Sequence, residues 1–337
     1  MLNLFQKIFL TSLLLTAACL AASDDKTELS GTFRDKDYQI VIAKSLTSEE
    51  KKSVESAVKA VFDKATATYD SDNPNSEVSK LSKLPIDKKV TVSPLLGQLF
   101  AVSEKINFIS GGLFDPTMGA LGTLWTQNLE KGKLPSKEAV QKACSHTGWK
   151  NLKIQGNTFW KTAEVDEINF GAIFKGFTID QIIEKLKGMG YTNFFIKWSE
   201  TMRALGTGPK GSAWQVFVRE SRLASATDDP KKTFKLKDQA LASSSDLNQQ
   251  KWTVDGKPYT SVINPKTCEP LPSLTFPQIS ALADSSAEAE GLASAGKFLT
   301  SLKEALSWEE KIKAKIPGAS FWFMTEEGAK GLASAKK

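Results

Sequence analysis

Apolar and polar positions change period several times along this chain, and each change marks an element. Residues 38–43, "YQIVIA", form a short apolar run of strand type. From Thr47 the pattern turns helical. Val54, Val58, Val61 and Ala65 recur at three- and four-residue steps behind a Thr47–Glu50 capping-box signature. "SDNPNSE" supplies turn residues that end this helix. Ser93-Pro94 opens the next one as cap and first-turn proline. Leu95, Leu99, Val102, Ile106 and Ile109 mark its stripe, and Gly111-Gly112 stop it. A further helix is predicted over about 136–145, and a hairpin about Gly156-Asn157.

The stretch 167–198 is the most organised. A strand ends near Phe170. A helix then runs to about Lys187 with Ile179, Ile182, Ile183 and Leu186 inward, Gly188 and Gly190 stop it, and "NFFIKW" reads as the next strand. "AWQVFVRE" gives another strand. "ALASSSDL" and "YTSVIN" read as short strands or turns on either side of a "VDGK" hairpin turn. A long helix is predicted over about 286–302, with Ala289, Leu292, Ala293, Gly296 and Leu299 on one face. "ASFWFMT" is the final strand. There is no repeat, and no linker after residue 30. The pattern predicts one continuous α+β unit over 31–325, after a polar linker at 23–30 and before a polar tail at 326–337.

Residues 1–22 depart from this picture. One lysine, Lys7, precedes an apolar run over 8–15 and then small residues. That is the layout of a secretory signal, too short to span a membrane as a mature helix. "LTAAC" resembles a bacterial lipobox with Cys19 as the lipidated residue; the other reading is ordinary cleavage after Ala21 or Ala22. Both predict export, to the periplasm or to a lipid-anchored position on a bacterial membrane surface.

Composition narrows the function classes. With 41% apolar and 24% charged residues the chain is globular. Its net charge of +6 is spread over lysines interleaved with acids, without a basic stripe carrying aromatics, so nucleic-acid binding is not expected. Cys144 and Cys268 are read as two free thiols, although export permits a bridge. The single histidine, His146, sits at a predicted helix end. A serine–histidine triad or a multi-histidine zinc site is therefore not expected.

Five segments, in order, resemble the ApbE family of FAD:protein FMN transferases across roughly 30–325. They are "TYDSDNPNSEVSKLS", "GLFDPTMGALGTLW", "INFGAIFKGFTID", "DGKPYTSVINPKTCEP" and "SAEAEGLASA". The resemblance implies an enzyme that binds FAD with magnesium, cuts the pyrophosphate, and joins FMN through a phosphoester to a threonine of an acceptor flavoprotein. The phosphates call for a hard cation with oxygen ligands, and the isoalloxazine for an apolar slot. Carried over residue by residue, Ala172, Glu290 and Ser294 would hold magnesium. Tyr69, Asp115, Lys175 and Leu271 would contact FAD, and Ser261 or Asp180 would assist proton transfer.

This sequence departs from the family at several of these positions. Ser261 stands for the family's histidine, Asn264 for its aspartate and Cys268 for its glycine. Glu290 and Ser294 replace the metal-ligand aspartate and threonine, four apart and so on one helix face. Glutamate reaches about 1.5 Å further than aspartate. Ser199 and Glu200 replace two glycines. Only Ser244 and Asp246 remain of a serine–aspartate motif, and the early Met-Gly-Thr is missing. Serine is no base at neutral pH without a partner, and Asn264 carries no charge. A second reading therefore stands beside the transferase: a lipoprotein on the same scaffold that binds flavin, or a protein partner, without transfer.

Overall fold

The computed structural model describes residues 25–218, 232–245 and 251–324. The predicted signal with Cys19, Asp246 and the tail at 326–337 lie outside the described residues. The chain begins with a hairpin of β1 (Thr27–Phe33) and β2 (Lys36–Ile42), followed by α1 (Ser48–Thr68) and α2 (Glu77–Ser82). Then come β3 (Val90–Thr91), α3 (Pro94–Ile109), α4 (Gly119–Leu129), α5 (Lys137–Ser145), β4 (Leu152–Gln155) and β5 (Thr158–Lys161). The central stretch holds α6 (Phe174–Gly188), β6 (Phe194–Trp198), β7 (Thr201–Leu205) and β8 (Trp214–Val218). Next are β9 (Lys232–Leu236), β10 (Ala240–Ser245) and the hairpin of β11 (Lys251–Val254) with β12 (Lys257–Thr260). β13 (Gln278–Ala283), α7 (Ser286–Gly296), α8 (Leu302–Lys313) and β14 (Ser320–Met324) complete it. This is the α+β architecture the pattern predicts.

One antiparallel sheet organises the molecule, with strand order β1-β2-β6-β7-β10-β13-β14. Side chains alternate across it. Ile40, Ile42, Phe194, Ile196 and Trp198 pack with the buried faces of α1 and α6. Val41 and Phe195 join Trp214 and Val216 of the β8–β9 hairpin in a second cluster. Both faces of the sheet are covered, so both alternating sets must be apolar. That is why "NFFIKW" reads as a continuous apolar run. Small residues set the closest approach: Ala240, Ala242, Ala283 and Ala289 pack together and let α7 lie near β10 and β13.

Local signals placed most helices well. Thr47 and Glu50 form the complete capping box of α1, and Ser93 and Ser136 cap α3 and α5. Four expectations need correction. No strand ends near Phe170: residues 167–170 are irregular and lead through a turn into α6. Residues 27–30 are not linker: they pair with β2 as the start of β1, whose polar positions face solvent at the sheet edge. The long helix predicted over 286–302 stops at Gly296. Beyond it, Phe298 and Leu299 donate to carbonyls only three residues back, so an apolar spacing persists while the α-helix ends. A separate helix, α8, follows, capped by Ser301 through the amide of Glu304. Finally, Cys144 and Cys268 are not free thiols but a disulfide with Cα atoms 5.8 Å apart, tying α5 to the turn after β12. Their separation of 124 residues hides the pair from local reading.

Candidate active site

The site is built on the crossing of α6 and α7, which cap one another. Asp180 of α6 accepts from the backbone amides of Ser286 (2.8 Å) and Ala287 (2.9 Å), the free donors at the start of α7. Glu290 of α7 accepts from the amide of Gly176 (2.6 Å) in the first turn of α6. Each helix thus satisfies the other's N-terminus. Gly176 is required at the contact: a Cβ there would run into the backbone carbonyl of Ser286. The two ends differ in their surroundings. Asp180 is paired with Arg203 and enclosed, so burial pushes its carboxyl up while the Arg203 guanidinium and the two amides oppose that push. Glu290 is paired with Lys175 and faces a cavity.

That cavity, of about 430 Å³, is lined by polar groups from distant segments. Lys175, Glu290, Lys36, Glu200 and the three serines 243–245 of β10 stand around it. A second cavity of about 190 Å³ adjoins it. Its wall is more apolar, with Leu113, Phe114, Val262, Ile263 and Phe298, and it includes Asp115 and Ser261. Ala172, Ser294 and Lys297 line both. They form the common wall at the end of α7.

The turn after β12 supplies one side of the smaller cavity. Ile263 bridges to Pro270, and Asn264 shapes the turn. Its carbonyl accepts from Cys268 (2.8 Å), its amide donates to Glu269 (2.9 Å), and its side-chain oxygen accepts from Lys266 (2.9 Å). Cys268 has φ of 60° and its carbonyl accepts from the Trp125 indole at 2.9 Å. Asn264 therefore does the work of an Asx turn, for which charge is unnecessary.

The structure gathers six of the sequence-predicted residues at these cavities. Ala172, Lys175, Glu290 and Ser294 line the larger; Ala172, Ser294, Asp115 and Ser261 line the smaller. Asp115 also caps a 3₁₀ turn at 116–118: Oδ1 accepts from the Thr117 amide and hydroxyl, and Oδ2 from the Trp149 amide. Burial pushes its carboxyl up, against these hydrogen bonds. Three residues line neither cavity. Asp180 lies away from both, at the α6–α7 crossing beside Arg203. Tyr69 is buried at 1% exposure, its hydroxyl 2.8 Å from that of Thr178, and burial pushes its phenol up. Leu271 pairs its backbone with Thr260 and Val262 beside the site turn.

Sequence reading missed Lys297. Burial and the neighbouring Lys175 push its ammonium down to about 8, while Glu200 and Glu290 pull the other way. Its signal was a single charge inside the apolar run "LASAGKFL". Lys36, in the β1–β2 hairpin, also escaped attention because nothing near it in sequence joins the site.

The residues expected to hold a divalent cation are on one wall and offer only oxygen. The Ser294 hydroxyl donates to the Ala172 carbonyl at 3.3 Å, and Glu290 lies on the same face of α7. Among the described residues no group of three carboxylate, histidine or cysteine side chains could hold a metal. One carboxylate, one hydroxyl and one carbonyl fit a magnesium-type ion that draws its other ligands from water and phosphate. Such an ion would take over the Glu290 oxygen now paired with Lys175.

Comparison with known proteins identifies a family and a fold. The model of the ApbE family matches residues 35–317. The chain is 29% identical over 310 residues to an FAD:protein FMN transferase of Chlamydia pneumoniae, covering 90% of this chain and 94% of that relative. It is 28% identical over 314 residues to the Chlamydia trachomatis protein of the same name, covering 90% and 95%. Among solved structures, apo ApbE flavinyl transferase of Pseudomonas stutzeri superposes with TM-score 0.77 at 22% identity, covering 90% of this chain and 92% of that one. The Thermotoga maritima ApbE protein gives 0.76 at 24%, covering 90% and 96%.

Proposed function

The chain belongs to the ApbE family, and from that premise we infer that it is an FAD:protein FMN transferase. The observation that carries this reading is the pair of adjoining cavities of unlike character with a common wall at Ala172 and Ser294. FAD has two unlike halves joined by a pyrophosphate. The smaller, more apolar cavity suits a flavin ring, the larger polar one suits the adenylate side, and the junction suits the phosphates.

In the reaction the threonine hydroxyl oxygen of the acceptor bonds to the phosphorus of the FMN half. The bond from that phosphorus to the bridging oxygen breaks, and AMP leaves with the electron pair. Magnesium, held by the Ala172 carbonyl, Glu290 and Ser294, would supply positive charge to the phosphate oxygens. Lys175 adds an ammonium on the same wall, where it pairs with Glu290 and would face the phosphates. Ser261 lies on the smaller cavity, where its hydroxyl orients the incoming threonine. Asp180 acts by holding α7, and with it Glu290 and Ser294, in register with α6. The threonine proton passes to solvent water.

The acceptor in this reading is a flavoprotein with a threonine to be modified, and the chain works after export. Cys19 is the tether if it is lipidated; fatty-acid labelling lost in Cys19→Ala supports that, and unchanged labelling rejects it.

The test uses residues 24–337 with FAD and a threonine-bearing acceptor peptide, with and without magnesium. Magnesium-dependent AMP release with the peptide heavier by FMN supports transfer. FAD binding without AMP release defeats it and favours the binding-only relative.

A further inference from the structure

Three residues line both cavities, and their chemistry differs. Ala172 offers a carbonyl, Ser294 a hydroxyl, and Lys297 the only charge on the common wall. Lys297 is the C-cap residue of α7, where the helix dipole favours a cation. Lys175, on the facing helix, is matched by Glu290. Among the described residues Lys297 makes no ion pair with a carboxylate. A half-buried ammonium without a partner is costly, and the cost falls when an anion arrives.

We propose that Lys297 is a phosphate-contacting residue that holds the dinucleotide's pyrophosphate at the junction of the two cavities. The assignment rests on the transferase reading and adds to it a residue outside every family-like position identified in the sequence. Lys297 thereby performs at the junction what a carboxylate-bound Lys175 does not: it offers an uncommitted cation before any metal binds.

The experiment compares wild type, Lys297→Met and Lys297→Arg for binding of FAD, ADP and riboflavin, with AMP release measured in parallel. Methionine keeps the stem's length and removes the charge, so packing is retained. Lys297→Met is expected to weaken FAD and ADP by about ten- to a hundredfold, the range of a charged hydrogen bond. Riboflavin, which has no phosphate, is expected to bind as before, and arginine to restore most of the FAD affinity. Unchanged FAD affinity in Lys297→Met overturns the assignment and leaves the transferase reading standing. Equal weakening of FAD and riboflavin also overturns it, by showing a structural role. Lysine-dependent FAD binding by a wild type that transfers no FMN supports Lys297 and removes the transferase reading. A wild type that binds no FAD overturns both.

Discussion

The two ends of the α6–α7 crossing use the same bond for opposite purposes. At each end a carboxylate of one helix accepts the free N-terminal amides of the other. At the Asp180 end the second partner is Arg203, and neither side chain lines either of the two cavities. At the Glu290 end the second partner is Lys175, 29% exposed on a cavity wall, which a cation or phosphate can displace. Glu290 is the more enclosed of the two carboxylates, 8% exposed against 14% for Asp180, so it becomes a site residue through the cavity that it and its partner line and not through greater exposure. The Asp180 end, sealed from the two cavities, fixes the register of the helices, and the Glu290 end, open to one of them, uses that register to place Glu290 and Ser294.

Breaking the sealed end has the largest expected effect. Asp180→Ala leaves Arg203 without its carboxylate and two α7 amides unsatisfied, for a loss of about 4 kcal/mol by urea unfolding. If stability is unchanged, the sealed end is not what holds the helices. Gly176→Ala attacks the crossing between the two ends. Its methyl meets the Ser286 carbonyl, and about 3 kcal/mol is lost as α7 is pushed away. Turnover per folded molecule should fall with it, because Glu290 moves too.

The open end behaves in the other sense. Lys297→Met removes a charge the fold disfavours and is expected to raise stability at neutral pH by about 2 kcal/mol, less than the full shift because the side chain keeps some contact with solvent. The sign follows from proton counting. Folded Lys297 loses its proton near 8, while the unfolded chain keeps it to about 10.5. Between those values the unfolded state binds more protons, so wild-type stability rises with pH. Thermal melts from pH 7 to 10.5 should show that rise flattened in the methionine variant. Glu290→Gln comes last in stability, at about 1 kcal/mol or less, because an amide oxygen still accepts from Gly176 and Lys175 is partly solvated. Its AMP release should nevertheless fall sharply. Similar stability losses in Asp180→Ala and Glu290→Gln would erase the distinction between the ends.

Much of the framework was legible because its causes are local. Capping serines, Ser93-Pro94 and the Gly156-Asn157 turn act within four residues of themselves, so α3, α5 and the β4–β5 hairpin followed directly. The boundary at Gly296 was not legible, because Phe298 and Leu299 remain buried beyond the helix and keep its spacing. Within the site, the motif order pointed to Ala172, Glu290 and Ser294, which share one wall. The same motifs gave no hint that Asp180 faces Arg203 and α7 instead of the cavity. Lys297 belongs to no motif; only its place on both cavities distinguishes it from the many lysines of the chain.

The sequence by itself determined the export layout as an expectation, the alternation of helix and strand, the apolar faces and the family pattern. These follow from periods of 2 and 3.6 residues and from caps that act within one turn. Tertiary structure decided the rest. The Cys144–Cys268 bridge spans 124 residues, Asp180 meets Ser286 across 106, and Glu290 meets Gly176 across 114. Periodicity shows that a residue is buried or exposed but does not name what it meets. Whether a carboxylate meets a cavity depends on which distant segment arrives beside it, and only the folded sheet brings α6, α7 and the site turn together.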